Sequence, residues 1–217
     1  MSPSPERSDL PRAEISAGIP DVVPGPRVKG LRFRRLHPTL GEFVLRPLDL
    51  ATDLWHIHDW VNQEYARYWM MQHTTPAQVA ASYRDILEQG EVFVGLHDGE
   101  PQFLMESYDA AESPLSQHYP AEAGDRGMHV LVAPPMAPRS GFTWAVFCTV
   151  MDFLFSDPSI RRIVVEPDVR NDKIHAINRR AGFRYDRVLE LPHKRAHLAF
   201  CTRADYERAL ESEGRLP

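Results

Sequence analysis

The sequence predicts an α/β protein of the α+β kind, with helices flanking a mixed sheet, and three observations carry that prediction. Asp98-Gly99-Glu100 lies between two strand-like runs, 91–97 and 101–108, and Asp-Gly is a hairpin signal, so this part of the sheet is antiparallel. From residue 127 onward, strand patterns (127–133, 162–166) alternate with helical ones (141–156, 172–181), as in crossover connections between parallel strands. Two further strand patterns, 183–191 and 196–201, close the sheet.

The totals suit one globular domain. The chain has 217 residues, 43% apolar and 25% charged, and a net charge of −5 argues against a general nucleic-acid binder. No apolar stretch is long enough to cross a bilayer and no charged-then-apolar leader is read, so a cytoplasmic protein is expected. Residues 1–30 hold Pro3, Pro5, Pro11, Pro20, Pro24 and Pro26 among polar neighbours and read as a flexible arm ahead of a domain over 31–217. Cys148 and Cys201 sit in a helical and a strand pattern as small hydrophobes. No metal-type Cys/His spacing occurs. His56 and His58 would face different sides of a helix.

In chain order, 31–36 alternates like an edge strand and 43–48 makes a second. Leu54, Ile57 and Val61 recur at helical spacing from Asp53 to Asn62, and a second helix runs from Pro76 to Leu87, with proline at its first turn. Between them, Tyr65 to His73 is rich in aromatic and thioether side chains and reads equally as a packed lid or a pocket wall. In the second half, 162–166 is a β-branched run of the kind buried on both faces. Asn171 or Asp172 can cap the helix after it, and Gly182 suits the residue that closes that helix. Thr202 to Asp205 reads as a capping box opening a terminal helix.

Two residues stand out for chemistry. His129 lies within the 127–133 strand, and Asp168 stands where the next strand leaves the sheet at its carboxyl end, the place where ligand sites of α/β folds collect. An imidazole on one inner strand and a carboxylate ending another can converge on one reacting atom. Taken singly, a core histidine and a helix-capping aspartate are the plainer readings.

The element order, together with Gly127-Met128-His129, Glu166-Pro167-Asp168-Val169-Arg170-Asn171 and Ala181-Gly182-Phe183, resembles the acyl-CoA-dependent N-acyltransferases of the GNAT superfamily. The similarity is to the branch that acylates hydroxylamines in hydroxamate siderophore assembly, which includes the aerobactin, mycobactin and desferrioxamine pathways. Leu45-Arg46-Pro47-Leu48, Trp69-Met70-Met71-Gln72 and Phe103-Leu104-Met105-Glu106 extend it over roughly residues 31 to 210.

That resemblance implies a GNAT-like mixed central sheet of about seven strands. It also implies a catalytic pair in His129 and Asp168, one as base and the other as orienter in either order. Acyl-CoA would be the cosubstrate, with no metal, its thioester oxygen meeting a backbone N–H near Leu131 and Val132. Its pyrophosphate would meet the helix start at Arg139, Ser140, Gly141, Phe142 and Thr143, where unpaired N–H groups and the helix dipole favour anions. The phosphate turn departs from the superfamily's glycine-rich pattern in having a single glycine, Gly141. Asn171 would bond the pantetheine or cap its helix, and Trp69, Met70, Met105, Glu106 and Tyr108 would line an acceptor pocket or pack in the core.

The implied reaction transfers acetyl or succinyl to an N-hydroxylated diamine such as N-hydroxycadaverine. A siderophore synthetase and an amine monooxygenase are the implied pathway partners. Alternatives are N6-hydroxylysine or N5-hydroxyornithine as acceptor, aminoglycoside acetylation, or a CoA-binding sensor without turnover. The chemistry fits a hydroxylamine: a lysine-like amine, with a pKa near 10.4, is neutral in only about one molecule in a thousand or so at pH 7, whereas N-hydroxylation leaves the nitrogen largely unprotonated.

Overall fold

A computed structural model of the chain describes residues 30–134 and 139–214. Apart from Gly30, the expected N-terminal arm lies outside the described residues, as do Pro135 and Pro138 of the turn before the helix at 141. The order is β1 (Phe33–His37), β2 (Gly41–Pro47), α1 (Leu50–Val61), α2 (Pro76–Gln89), β3 (Gly90–His97), β4 (Glu100–Asp109), β5 (Asp125–Val132), α3 (Phe142–Ser156), β6 (Arg162–Val165), α4 (Asp172–Arg180), β7 (Arg184–Leu191), β8 (Lys194–Thr202) and α5 (Arg203–Ser212). Short 3-10 helices cover Glu64–Trp69 and Pro114–Gln117.

Local chemistry sets the boundaries. Asp98 and Gly99 both have positive φ, 50° and 89°, as the β3–β4 hairpin turn requires. Thr75 accepts from Gln78 N while the Gln78 side chain accepts from Thr75 N at 2.8 Å, a reciprocal cap ahead of Pro76. Helix α1 starts at Leu50, ahead of the expected Asp53, because Asp49 caps it. Asp53 is instead buried against Arg46 in a bidentate pair at 2.7 Å.

All eight strands form one sheet, in the order β1-β2-β3-β4-β5-β6-β8-β7. The eight strands correspond to the eight strand-like runs of the sequence, one more than the about seven that the resemblance implied, with Phe33–His37 as the antiparallel edge on β2. The parallel second half reduces to β5 on β6, since β6–β8 and β7–β8 are antiparallel.

Helix α3, apolar nearly all round, is buried against one face of the sheet on Phe43, Leu45, Phe103, Met105 and Met128. The other face packs Val44, Val92, Val94 and Leu104 against α1 and α2. Alternation along each strand therefore assigns every side chain to one side or the other, and that parity builds the site.

Candidate active site

Strands β5 and β6 pair only from Asp125↔Arg162 to Gly127↔Val164, while β4 stays with β5 as far as Val132. Beyond Gly127 the two parallel strands part. Ala133 N donates to Gln102 O at 2.8 Å and Ala110 N to Asp125 O at 3.4 Å, which fixes the odd-numbered residues of β5 as those bonded to β4. The alternate N–H groups, of Met128, Val130 and Val132, are directed toward the side β6 has left. Leu131 was the expected backbone donor, but it stands opposite Leu104 and its N–H belongs to the β4 ladder. The N–H of Val132, like that of Val130, is on the gap side.

A cleft of about 250 Å³ fills this gap, bordered by Val130, Val132, Thr143, Asp168, Asn171 and Asn178, with the side chains of Trp69, Leu131 and His129 also on its wall. A larger cavity, about 740 Å³, opens beside the end of α2 and is lined by Met70, Glu106 and Tyr108. The two share His129, Glu166 and Lys194.

At this junction the parity of four strands brings charges together. His129 Nδ1 lies 2.8 Å from Glu106 Oε2, and Nε2 lies 3.0 Å from Glu166 Oε1. Lys194 Nζ donates to Glu166 Oε1 at 3.3 Å, and the Tyr108 hydroxyl donates to Glu166 Oε2 at 3.3 Å. The Trp69 ring meets the imidazole edge-on at 6.0 Å between centroids, held by its indole N–H on the Tyr83 hydroxyl. Tyr108 can lie across β5 because its partner is Gly127, where a Cβ would come within 2.1 Å of the ring.

Burial alone would push the imidazole pKa down. The carboxylates of Glu166 and Glu106 outweigh it and hold His129 up at about 10. Burial would likewise raise Glu166, but the imidazolium and Lys194 hold it down at about 2. His129 is thus a fixed cation at neutral pH, in place of the titrating base that an unperturbed histidine would supply.

Asp168 borders the same gap as His129, but it is bonded elsewhere. Arg170 holds it through Nε, Nη2 and its backbone N, at 2.7 to 2.9 Å, and these bonds keep its pKa down at about 2. The imidazole is oriented by two glutamates, not by this aspartate. The Arg170 side chain is 73% exposed, whereas that of Lys194 on Glu166 is 14% exposed.

Helix α3 begins at Gly141, at φ 77°, with no side-chain cap, and Ser140, Gly141 and Thr143 are exposed there. The Phe142 N–H goes to Arg139 O at 3.2 Å, and the helix start turns its positive dipole end outward, which favours an anion. Phe142 is buried in the core, and Arg139 has a guanidinium nitrogen 3.4 Å from His97 Nδ1. Asn171 caps α4 through Ile174 N and also borders the gap.

Met105 departs from expectation. It is fully buried on the α3 face and lines neither cavity, because it is one residue out of phase with Glu106. Glu106 is occupied by His129 and is not a free partner for a distal ammonium. Sequence reasoning missed Glu166, Lys194 and Asn178 as site residues. The signal for Glu166 was an acid directly continuing an apolar β-branched run; Lys194 sits in a hairpin whose fold-back no local pattern announces.

The acetyltransferase (GNAT) domain model matches residues 49–191. An N(6)-hydroxylysine O-acetyltransferase of Escherichia coli is 26% identical over 82% of this chain and 58% of its own length. A lysine N-acyltransferase MbtK of Mycolicibacterium paratuberculosis is 28% identical over 83% of this chain and 76% of its own. The chain spans about three-fifths of the length of the first two relatives, 58% and 61%. An uncharacterised protein from Bacillus halodurans superposes with TM-score 0.78 at 24% identity, over 85% of this chain and 97% of the other. An aminoglycoside acetyltransferase solved with coenzyme A gives 0.68 at 24% identity, over 76% and 98%. Among the described residues no helix is long and apolar enough to cross a membrane. With the matched domain covering well over half of its length, this chain belongs to the GNAT acetyltransferase family.

Proposed function

We propose that the protein transfers a short acyl group, acetyl or succinyl, from acyl-CoA to the hydroxylamine nitrogen of an N-hydroxylated diamine such as N-hydroxycadaverine, giving a hydroxamate for siderophore assembly. The observation that carries this reading is the meeting of two clefts at His129, Glu166 and Lys194. A thioester lying in the β5–β6 gap and an amine lying in the larger cavity would present carbonyl and nitrogen to each other there. The N–H groups of Val130 and Val132 are the donors for the thioester oxygen and the pantetheine carbonyls. The uncapped start of α3 suits the pyrophosphate.

The cavity wall favours a diamine over an amino acid. Exposed Asp85, Glu88, Asp109 and Glu112 border it, and among the described residues no arginine lines it and the one lysine, Lys194, is already on Glu166. A distal ammonium finds carboxylates there, while an α-carboxylate finds repulsion. A hydroxylamine nitrogen attacks as the free base and becomes strongly acidic as the C–N bond forms, so a weak base suffices. Asp168 is the better acceptor of that proton, since the cation bonded to it is an exposed arginine side chain that can swing aside. His129, locked between Glu106 and Glu166, supplies fixed positive charge and holds the acceptor in place. An amine monooxygenase must supply such a substrate, and a synthetase that joins hydroxamates would consume the product.

Thiol release with acetyl-CoA and succinyl-CoA tests this against N-hydroxycadaverine, cadaverine, N6-hydroxylysine and N5-hydroxyornithine. N-Hydroxycadaverine should give the highest kcat/KM. Equal activity on cadaverine would overturn the hydroxylamine assignment, and preference for a hydroxyamino acid would overturn the diamine. His129→Gln and Asp168→Asn should each lower turnover about a hundredfold with CoA affinity nearly intact; near-normal turnover would remove those roles.

A further inference from the structure

Among the described residues lining the gap between β5 and β6, one buried polar side-chain atom has no hydrogen-bond partner. Asn178, on α4, is 1% exposed and lines the gap beside Phe147, Val165, Ile174 and Ile177. Its Nδ2 donates to the Tyr185 hydroxyl at 3.3 Å, that hydroxyl lies 2.8 Å from His175 Nδ1, and His175 Nε2 lies 3.3 Å from Val169 O.

The chain of bonds fixes which way the amide points. A carbonyl oxygen only accepts, so in the neutral ring His175 Nε2 carries the proton and Nδ1 accepts from Tyr185. Tyr185 has then spent its proton and accepts from Asn178 Nδ2. The carboxamide oxygen is left on the far side, buried, with no partner among the described residues. Buried polar atoms are almost always paired, and one left open on the wall of a narrow, mostly apolar cleft marks the place of a ligand donor.

We propose that Asn178 Oδ1 accepts a hydrogen bond from an amide N–H of the pantetheine arm. That arm is a flexible chain of methylenes broken by two secondary amides, each with one N–H and one carbonyl. The β5 edge presents both N–H and C=O groups of Val130 and Val132 to the gap from one side; Asn178 adds an acceptor on the facing wall, from α4, for an N–H that turns away from β5. The inference rests on assigning this gap to acyl-CoA, and the experiment separates the two.

Calorimetric binding of coenzyme A and of adenosine 3′,5′-bisphosphate, which lacks the arm, is compared for wild type, Asn178→Leu and Thr143→Trp. Asn178→Leu should weaken coenzyme A binding about tenfold and leave the bisphosphate within twofold. No loss, or equal loss for both ligands, overturns the role of Asn178. Thr143→Trp fills the gap and should abolish coenzyme A binding; if it binds normally, the gap is not the cosubstrate site and both readings fall. Should Asn178→Leu not fold, the side-chain amide signal of Asn178 is followed by NMR in wild type. It should shift with coenzyme A and not with the bisphosphate, and a signal unmoved by either overturns the proposal.

Discussion

Replacing Glu166 by glutamine keeps the side chain's shape and removes its charge, which makes it the most direct probe of the cluster around His129. In the wild type the imidazole is held at about 10 by Glu166 and Glu106 against a burial effect of opposite sign. An opposite charge in contact typically moves a pKa by about one to three pH units, and Glu106 remains 2.8 Å away in the variant. His129 in Glu166→Gln should therefore titrate about one to three pH units lower than in the wild type. NMR of the His129 ring carbons from pH 5 to 11 reads this directly. A wild-type ring titrating near its ordinary 6.5 would refute the reasoning, whatever the variant does. The stability signs follow from the same shifts. His129 is raised, so its contribution is complete below 6.5 and declines as pH rises toward 10. Glu166 is lowered, so its contribution is complete above 4.5 and is lost as pH falls toward 2. Denaturant midpoints should accordingly be highest between about pH 4.5 and 6.5 for this pair, and Glu166→Gln should flatten the dependence on both sides.

The N–H of Val130 points into the gap and that of Leu131 into the β4 ladder, so Val130→Pro should fold yet lose about a hundredfold or more in acyl transfer, while Leu131→Pro should fail to fold; circular dichroism and thiol release distinguish them. Met105→Ala should cost about 2–5 kcal/mol in urea unfolding, from the cavity left under α3, with no change in acceptor KM. Gly127→Ala must move the Tyr108 ring, whose atoms lie 2.1 Å from the added carbon, and should cost about 1–3 kcal/mol and lower kcat by detaching Tyr108 from Glu166.

Much of the fold was legible because its signals are local. Asp98-Gly99 names its own turn, Pro76 and Thr202 name their helices' first turns, and the apolar runs at β5 and β6 give buried strands directly. The candidate pair His129 and Asp168 was readable from position, one inside a strand and one at a strand's end. Their electrostatic setting was not. No spacing in the sequence places Glu106, Glu166 and Lys194 around one imidazole, because each comes from a different strand and the contacts depend on register. Met105 shows the same limit from the other side, since one step along β4 separates a core methionine from a site glutamate.

The sequence by itself determined the strands and helices, the turn chemistry and which residue types were on hand for acyl transfer, since propensity, capping and periodicity act over a few neighbours. Only the tertiary structure decided that β5 and β6 part after Gly127, that Val130 rather than Leu131 turns its N–H into the opening, and that His129 is a cation between two carboxylates. Those depend on strand pairing across the sheet, where hydrogen-bond alternation and the parity of facing side chains are fixed jointly by residues from 106 to 194.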